Sequence, residues 1–97
     1  MNLLLSLLIQ IKGKLVGVLS EEYINTNQKF NYKLINNEKP NSCLIHITSN
    51  NSLDIREMDA IMNIVKNDFN NIDILYGLAI DNGIDNSNRI RAILIKN

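Results

Sequence analysis

The sequence is poor in the residues that mark disulfide-bonded, disordered or strongly charged proteins. It has no tryptophan, one proline and one cysteine among 97 residues. A single cysteine cannot form an internal disulfide, which fits a reducing compartment, and we expect Cys43 to be a small core residue rather than a reactive thiol. Ten basic and ten acidic side chains cancel. The positive charge on which nucleic-acid binding depends is therefore missing, and we predict no nucleic-acid partner.

Long hydrophobic runs are also missing. The start, Met1-Asn2-Leu3-Leu4-Leu5-Ser6-Leu7-Leu8-Ile9, is far shorter than the roughly 20 apolar residues of a membrane span. It lacks the basic region and small-residue cleavage site of a signal peptide. We predict a buried helix over residues 3–11 and no integral membrane segment, and association of this apolar start with a membrane stays the alternative.

The residues that are present predict a single domain over residues 1–97, because 45% of them are apolar and the chain is long enough to bury a core. Residues 15–19 are a short apolar run typical of a buried strand. Ser20-Glu21-Glu22 has the cap and early acids of a helix start, which predicts a helix over residues 20–33. The alternating residues 30–34 indicate a strand as the alternative. Residues 36–41 are predicted to form a loop.

The second half is predicted to form a strand, a helix and two further strands, over residues 43–48, 54–69, 72–81 and 89–96. Asp54 with Glu57 three residues later forms a capping-box-like helix start. Residues 72–81 carry apolar or small groups on both faces, so we expect other elements to pack on both sides of that strand. Residues 81–88 are predicted to form a long hairpin loop. The fold class is therefore α+β, a two-layer sandwich of a four-stranded mixed sheet packed with two to three helices.

The residues alone identify no cofactor or metal site. The four glycines stand apart, and none forms a phosphate-binding loop. His46 has no cysteine or acidic partner at metal-ligand spacing, and we expect a packed or surface residue. Asp81 and Asp85 lie in an oxygen-rich loop that lacks the EF-hand pattern, so we predict a solvated turn.

No catalytic residue emerges either. Ser20 and Ser52 are interpreted as helix-boundary residues, since no histidine lies near them in sequence. The Met58 and Met62 pair is predicted to be core. The arginines of the last strand, at positions 89 and 91, share one face, either as a small basic edge or as a charged solvent face that discourages edge aggregation. The glycosylation sequon at residues 50–52 has no meaning inside a reducing cell.

Four segments carry a resemblance to a known family. Leu44-Ile45-His46-Ile47-Thr48 resembles the strand Leu-Ile-Asn-Ile-Thr in the second domain of the FtsZ family, the bacterial relatives of tubulin. Leu75-Tyr76-Gly77-Leu78-Ala79-Ile80-Asp81 is similar to the family's Ile-Phe-Gly-Ala-Val-Ile-Asp strand. Residues 89–95 resemble the family's closing strand, and residues 13–18 resemble its first strand more weakly. The resemblance covers nearly the whole chain.

The resemblance implies a filament-subunit domain of a cell-division protein, acting in septal-ring assembly in the cytoplasm of a bacterium or in a bacterium-derived organelle. Implied partners are FtsZ-like subunits or a separately encoded GTP-binding domain, and GTP is the family's nucleotide. The family's phosphate loop is missing here, and Asn2-Leu3-Leu4-Leu5 stands, without a carboxylate, where its catalytic acidic loop ends. We therefore carry over no catalytic residue and expect no GTPase activity from this chain alone. An unrelated small α/β binding scaffold is the remaining hypothesis.

Overall fold

The strands of the sheet do not lie in chain order. The computed structural model describes residues 13–50, 54–84 and 88–97, and the helix predicted over residues 3–11 lies outside them. The elements are β1 (Lys14–Tyr23), β2 (Lys33–Leu34), β3 (Ser42–Ser49), α1 (Ile55–Asp68), β4 (Asp73–Ile80) and β5 (Asn88–Lys96). The sheet order is β2-β1-β5-β3-β4. The predicted α+β class with a mixed sheet is confirmed, although β2 adds a short fifth strand and the described residues contain one helix.

The last strand lies in the middle of the sheet. β5 pairs antiparallel with β1 from Lys14↔Lys96 to Tyr23↔Asn88, and its other edge pairs antiparallel with β3. β3 and β4 are parallel, as a strand–helix–strand unit requires. Every other long strand therefore takes its position from β5, directly or through β3.

The main core lies between the sheet and α1. Alternate residues of β3 and β5 point to this side, which we call the helix face, and α1 packs on it through Ile61 and Val65, both 0% exposed. The sheet residues of this core include Cys43, Ile45, Ile47, Ile90, Ala92 and Leu94. The predicted alternation of β3 is confirmed, since Leu44, His46 and Thr48 lie on the other side, which we call the opposite face.

Helix α1 begins where the sequence predicts. The Arg56 N–H donates to the Asp54 carboxylate at 2.8 Å, so Asp54 is the N-cap. This hydrogen bond, more than the nearby guanidinium, holds the pKa of Asp54 below its ordinary value. Glu57 accepts a hydrogen bond from the Asn88 side chain at 3.1 Å, which ties the first turn of the helix to β5.

The helix predicted over residues 20–33 is wrong. β1 continues to Tyr23 because β5 pairs with it over its whole length, and the chain then turns. The Gln28 side chain accepts from the Ile24 N–H at 2.8 Å and donates to the Glu22 carbonyl. Asn25 accepts from the Asn27 N–H at 2.9 Å. These side chains bind backbone groups that a helix would use internally, and Asn and Gln thereby favour the turn.

The alternative for this region is nearer to the structure. Phe30 is buried, Asn31 is exposed and Tyr32 is half-buried, so the residues before β2 alternate as an extended chain does. Tyr32 packs edge-on against Phe69 and donates to Asp68 at 2.7 Å. The predicted loop at residues 36–41 is confirmed, with Asn36 and Asn37 in left-handed conformation at φ of 56° and 53°.

Two predictions about β4 and its exit are also wrong. β4 lies at the edge of the sheet and is half-exposed on both faces, so the described residues do not pack on both of its sides. Residues 81–88 do not form a hairpin, because β3 separates β4 from β5. The hairpin prediction is wrong because it assumed that strands adjacent in the sequence pair with each other, whereas β5 pairs with β1 and β3.

The buried stripe of α1 should carry most of the helix's contribution to stability. We expect Ile61→Ala to lower the free energy of unfolding by about 2–5 kcal/mol, because it removes a fully buried side chain and leaves a cavity. Ile55, in the same helix, is 71% exposed, and Ile55→Ala should cost less than about 0.5 kcal/mol. Urea denaturation followed by circular dichroism measures both values, and similar losses for the two variants would contradict this packing.

Candidate interaction surface

An apolar edge strand is the most unusual surface of the molecule. Three residues of β4 project from the helix face: Tyr76 is 51% exposed, Leu78 48% and Ile80 61%. Leu75 projects from the opposite face and is 56% exposed. Ile55 is exposed at the end of the sheet where β3 and β4 end. We call the four side chains of β4 the edge row.

Among the described residues, no strand pairs with one side of the β4 backbone, beside these side chains. The Asp73 N–H donates to the Asn41 carbonyl at 3.0 Å, and the Asp81 N–H donates to the Ser49 carbonyl at 2.7 Å. Both donors are odd-numbered, and backbone directions alternate along a strand. The even-numbered N–H groups of β4 therefore point away from β3, and no strand among the described residues pairs with them.

The edge lacks the devices that usually prevent strand pairing. β4 is eight residues long, contains no proline and pairs with β3 without a bulge. Asp73 at its start is its only charged residue. Natural proteins interrupt exposed edges with charges, proline or bulges, so an unprotected apolar edge is a pairing site. The geometry supports addition of an extended segment from a partner.

The side chains considered for catalysis do not come together. Cys43 is fully buried on the helix face, and burial raises the pKa of its thiol to about 12. It is a free core cysteine, as predicted. His46 lies half-buried on the opposite face of β3, beside Arg91 of β5 and Gly77 of β4. A thiol and an imidazole on opposite faces cannot act on one substrate.

The serine and aspartate predictions have mixed outcomes. Ser20 is not a helix boundary but an exposed residue within β1. Ser52 lies outside the described residues, as does Asp85. Asp81 forms a local turn, in which its side chain accepts from the Gly83 N–H at 2.9 Å. Met58 is buried in the core, whereas Met62 is only half-buried, so the prediction of a core pair is confirmed for Met58 alone.

Arg89 and Arg91 share the opposite face and are exposed, as predicted. They do not form a basic edge, however, because β5 is a central strand. Their charge therefore cannot protect an edge from pairing. Of the two edge strands, β2 contains Lys33 and β4 has no basic residue.

The described residues do not fit a nucleotide or a metal. Phosphate groups commonly bind at a helix N-terminus, but the start of α1 is capped by the Asp54 carboxylate. In the described ranges, no three His, Cys, Asp or Glu side chains lie close enough to hold a metal ion. An open cleft of about 450 Å³ lies between Pro40 and the end of α1. Both of its carboxylates already have partners: Asp68 accepts from Tyr32, and Glu38 accepts from Lys14 at 2.9 Å.

In the part of the chain that the structure describes, no helix is both long and apolar enough to cross a membrane.

Comparison with solved structures finds a known protein with a similar fold. The chain is similar to an FtsZ chain from M. jannaschii, in a structure described as an empty FtsZ dimer. The TM-score is 0.64 with 20% sequence identity, over 86% of this chain. The match spans 27% of the FtsZ chain. No protein-family model and no curated protein matches the sequence. The FtsZ-like fold implied by the resemblance is confirmed.

Burial of Cys43 should make stability depend on pH. The folded chain holds the thiol proton to a pKa of about 12, whereas the unfolded thiol loses it near 9. The stability that the buried, protonated thiol contributes is therefore fully present below pH 9 and is lost as the pH rises towards 12. Between these values, the unaltered chain should lose about 1.4 kcal/mol more per pH unit than Cys43→Ala. Urea denaturation across this range measures the difference, and parallel curves would contradict it.

Proposed function

We propose that this chain is a filament-subunit domain of an FtsZ-like cell-division system. It acts in assembly of the septal polymer through contacts with other subunits, and it has no nucleotide site of its own. The observation that carries the proposal is an FtsZ-like fold whose edge strand β4 exposes an uninterrupted apolar row. Such an edge is suited to meeting another protein.

The edge supplies two kinds of contact at once. Its even-numbered N–H groups can pair with an extended segment of the partner, which gives affinity through main-chain hydrogen bonds. Tyr76, Leu78 and Ile80 alternate along the same strand and provide apolar contacts on its helix face. Because residues 74–80 carry no charge, the interface does not require an oppositely charged partner.

The proposal assigns nucleotide chemistry to the partner. This chain contributes a packed thiol, an isolated histidine and a capped helix start, none of which can position a phosphate group or activate water. GTP binding would then belong to the FtsZ-type subunits that the domain joins. We also propose a cytoplasmic location, in a bacterium or in an organelle derived from one, because the FtsZ-like fold supports partners of the FtsZ type.

A separately encoded GTP-binding domain is the second candidate partner. It is favoured by the extent of the structural match, which spans 27% of the FtsZ chain. In that case the chain would complete a split GTPase instead of joining a filament of complete subunits. Co-purification of a nucleotide-binding chain, with GTP turnover only in the complex, would support this candidate.

The direct test is to add the purified chain to assembling FtsZ. We expect a dose-dependent change in polymer mass by sedimentation and in GTP turnover, because the domain occupies one side of a subunit contact. The variant Leu78→Lys should weaken the effect at least about tenfold, since a charge in the edge row opposes apolar pairing. Leu78 is 48% exposed, so the variant should fold.

Ile24→Lys is the matched control. Ile24 is 74% exposed and lies outside β4, so this variant adds the same charge elsewhere and should act as the unaltered chain does. No change in polymer mass or turnover with the unaltered chain would overturn the proposal. Equal activity of the two lysine variants would exclude β4 as the contact.

A further inference from the structure

Two of the most buried side chains lie on the face opposite α1. Leu44 is 1% exposed and Ile95 is 0% exposed. Neither belongs to the core cluster that α1 covers. Ile93 pairs with Leu44 across β3 and β5 and is half-buried on the same face. A large side chain on an uncovered sheet face keeps contact with water, so something covers this strip.

The described elements do not supply that cover. α1 packs on the helix face, and so do Phe30 and Tyr32 from the connection between β1 and β3. Within residues 13–50, 54–84 and 88–97, no helix or strand packs over Leu44. The cover must therefore come from the remaining residues or from another molecule.

The cover is narrow. On the same face, Val18 of β1 is 38% exposed and Leu75 of β4 is 56% exposed. These residues flank β5 and β3 on either side, so the covered strip is two strands wide. Two strand spacings amount to about 10 Å, which is close to the diameter of one α-helix.

The first described residue of the chain, Gly13, lies beside this strip. Gly13 lies directly against Ile95, and a β-carbon at position 13 would overlap the Cγ2 atom of that side chain. Only glycine allows so close an approach of the backbone. Residues 1–12 precede Gly13, and as a helix they would be about 18 Å long, enough to pass over both β5 and β3.

We propose that residues 1–12 dock on the opposite face and cover Leu44 and Ile95. Their sequence has the pattern that this position requires. Asn2, Ser6 and Gln10 recur at a spacing of four, and in a helix they form one polar stripe. Leu4 and Leu8 then lie on the side away from the stripe, towards the sheet. The apolar start is thus a further layer of the domain, on the side of the sheet opposite α1, and not an anchor for a membrane.

Thiol labelling of the full-length chain tests this docking. Leu44→Cys places a thiol under the proposed cover, and Leu75→Cys places one beside it on the same face. The first should react at least about tenfold more slowly with a thiol reagent, because the cover must open before it reacts. Adding Leu4→Asp with Leu8→Asp should remove that protection. Cys43 stays in place as an internal control, since its labelling reports unfolding.

Ser6→Asp with Gln10→Asp is the matched control for added charge, and it should leave the thiol at position 44 protected. Equal labelling at positions 44 and 75 in the unaltered segment would overturn the proposal. Protection that disappears on dilution would also overturn it, in favour of a second copy as the cover.

A second measurement keeps the segment unaltered. A photoreactive residue at position 75 should crosslink to residues 1–12 of the same molecule, because it borders the covered strip. The same residue at position 78, on the helix face of the same strand, should not. Tryptic mapping of the crosslinked monomer identifies the joined residues. This result does not depend on whether the aspartate variants fold. Equal crosslinking from both positions, or none from position 75, would contradict the docking.

Discussion

Pairing of β5 with two strands at once is the constraint on which the structure depends. The last regular residues of the chain close a ladder with β1, the first strand, and another with β3. Since β4 reaches the sheet only through β3, loss of β5 would leave two unconnected pieces. The contacts that close the sheet are also distant in sequence, which makes their formation slow and cooperative.

This central position of β5 produces the exposed surface on which the proposed function rests. With β5 between β1 and β3, nothing among the described residues remains to pair with the outer edge of β4. The strand therefore carries apolar side chains and free donors at the same place. β4 is exposed because of its position in the strand order and not because of its composition, since uncharged apolar strands are common in the interior of sheets. The proposed binding role thus depends on strand order.

Local patterns predicted local structure well and strand order poorly. The alternation of β3 and the apolar stripe of α1 were readable because each repeats with a fixed period, and Asp54 marked the cap. The helix assigned to residues 20–33 failed because β1 pairs with a strand some seventy residues away, which no local signal reports. The exposure of the edge row could not be predicted for a similar reason, since an uncharged apolar sequence is typical of a buried strand. Only the family resemblance carried information about topology.

Hydrogen exchange of the β4 amides tests the central claim most directly. In the free chain, the N–H groups of Tyr76, Leu78 and Ile80 should exchange quickly, whereas those of Leu75 and Ala79, which face β3, should be protected. Added FtsZ-type subunits should slow the first group at least about tenfold and leave the second group unchanged. Binding without added protection of the outward-facing amides would contradict the account, because the contact would then lie elsewhere.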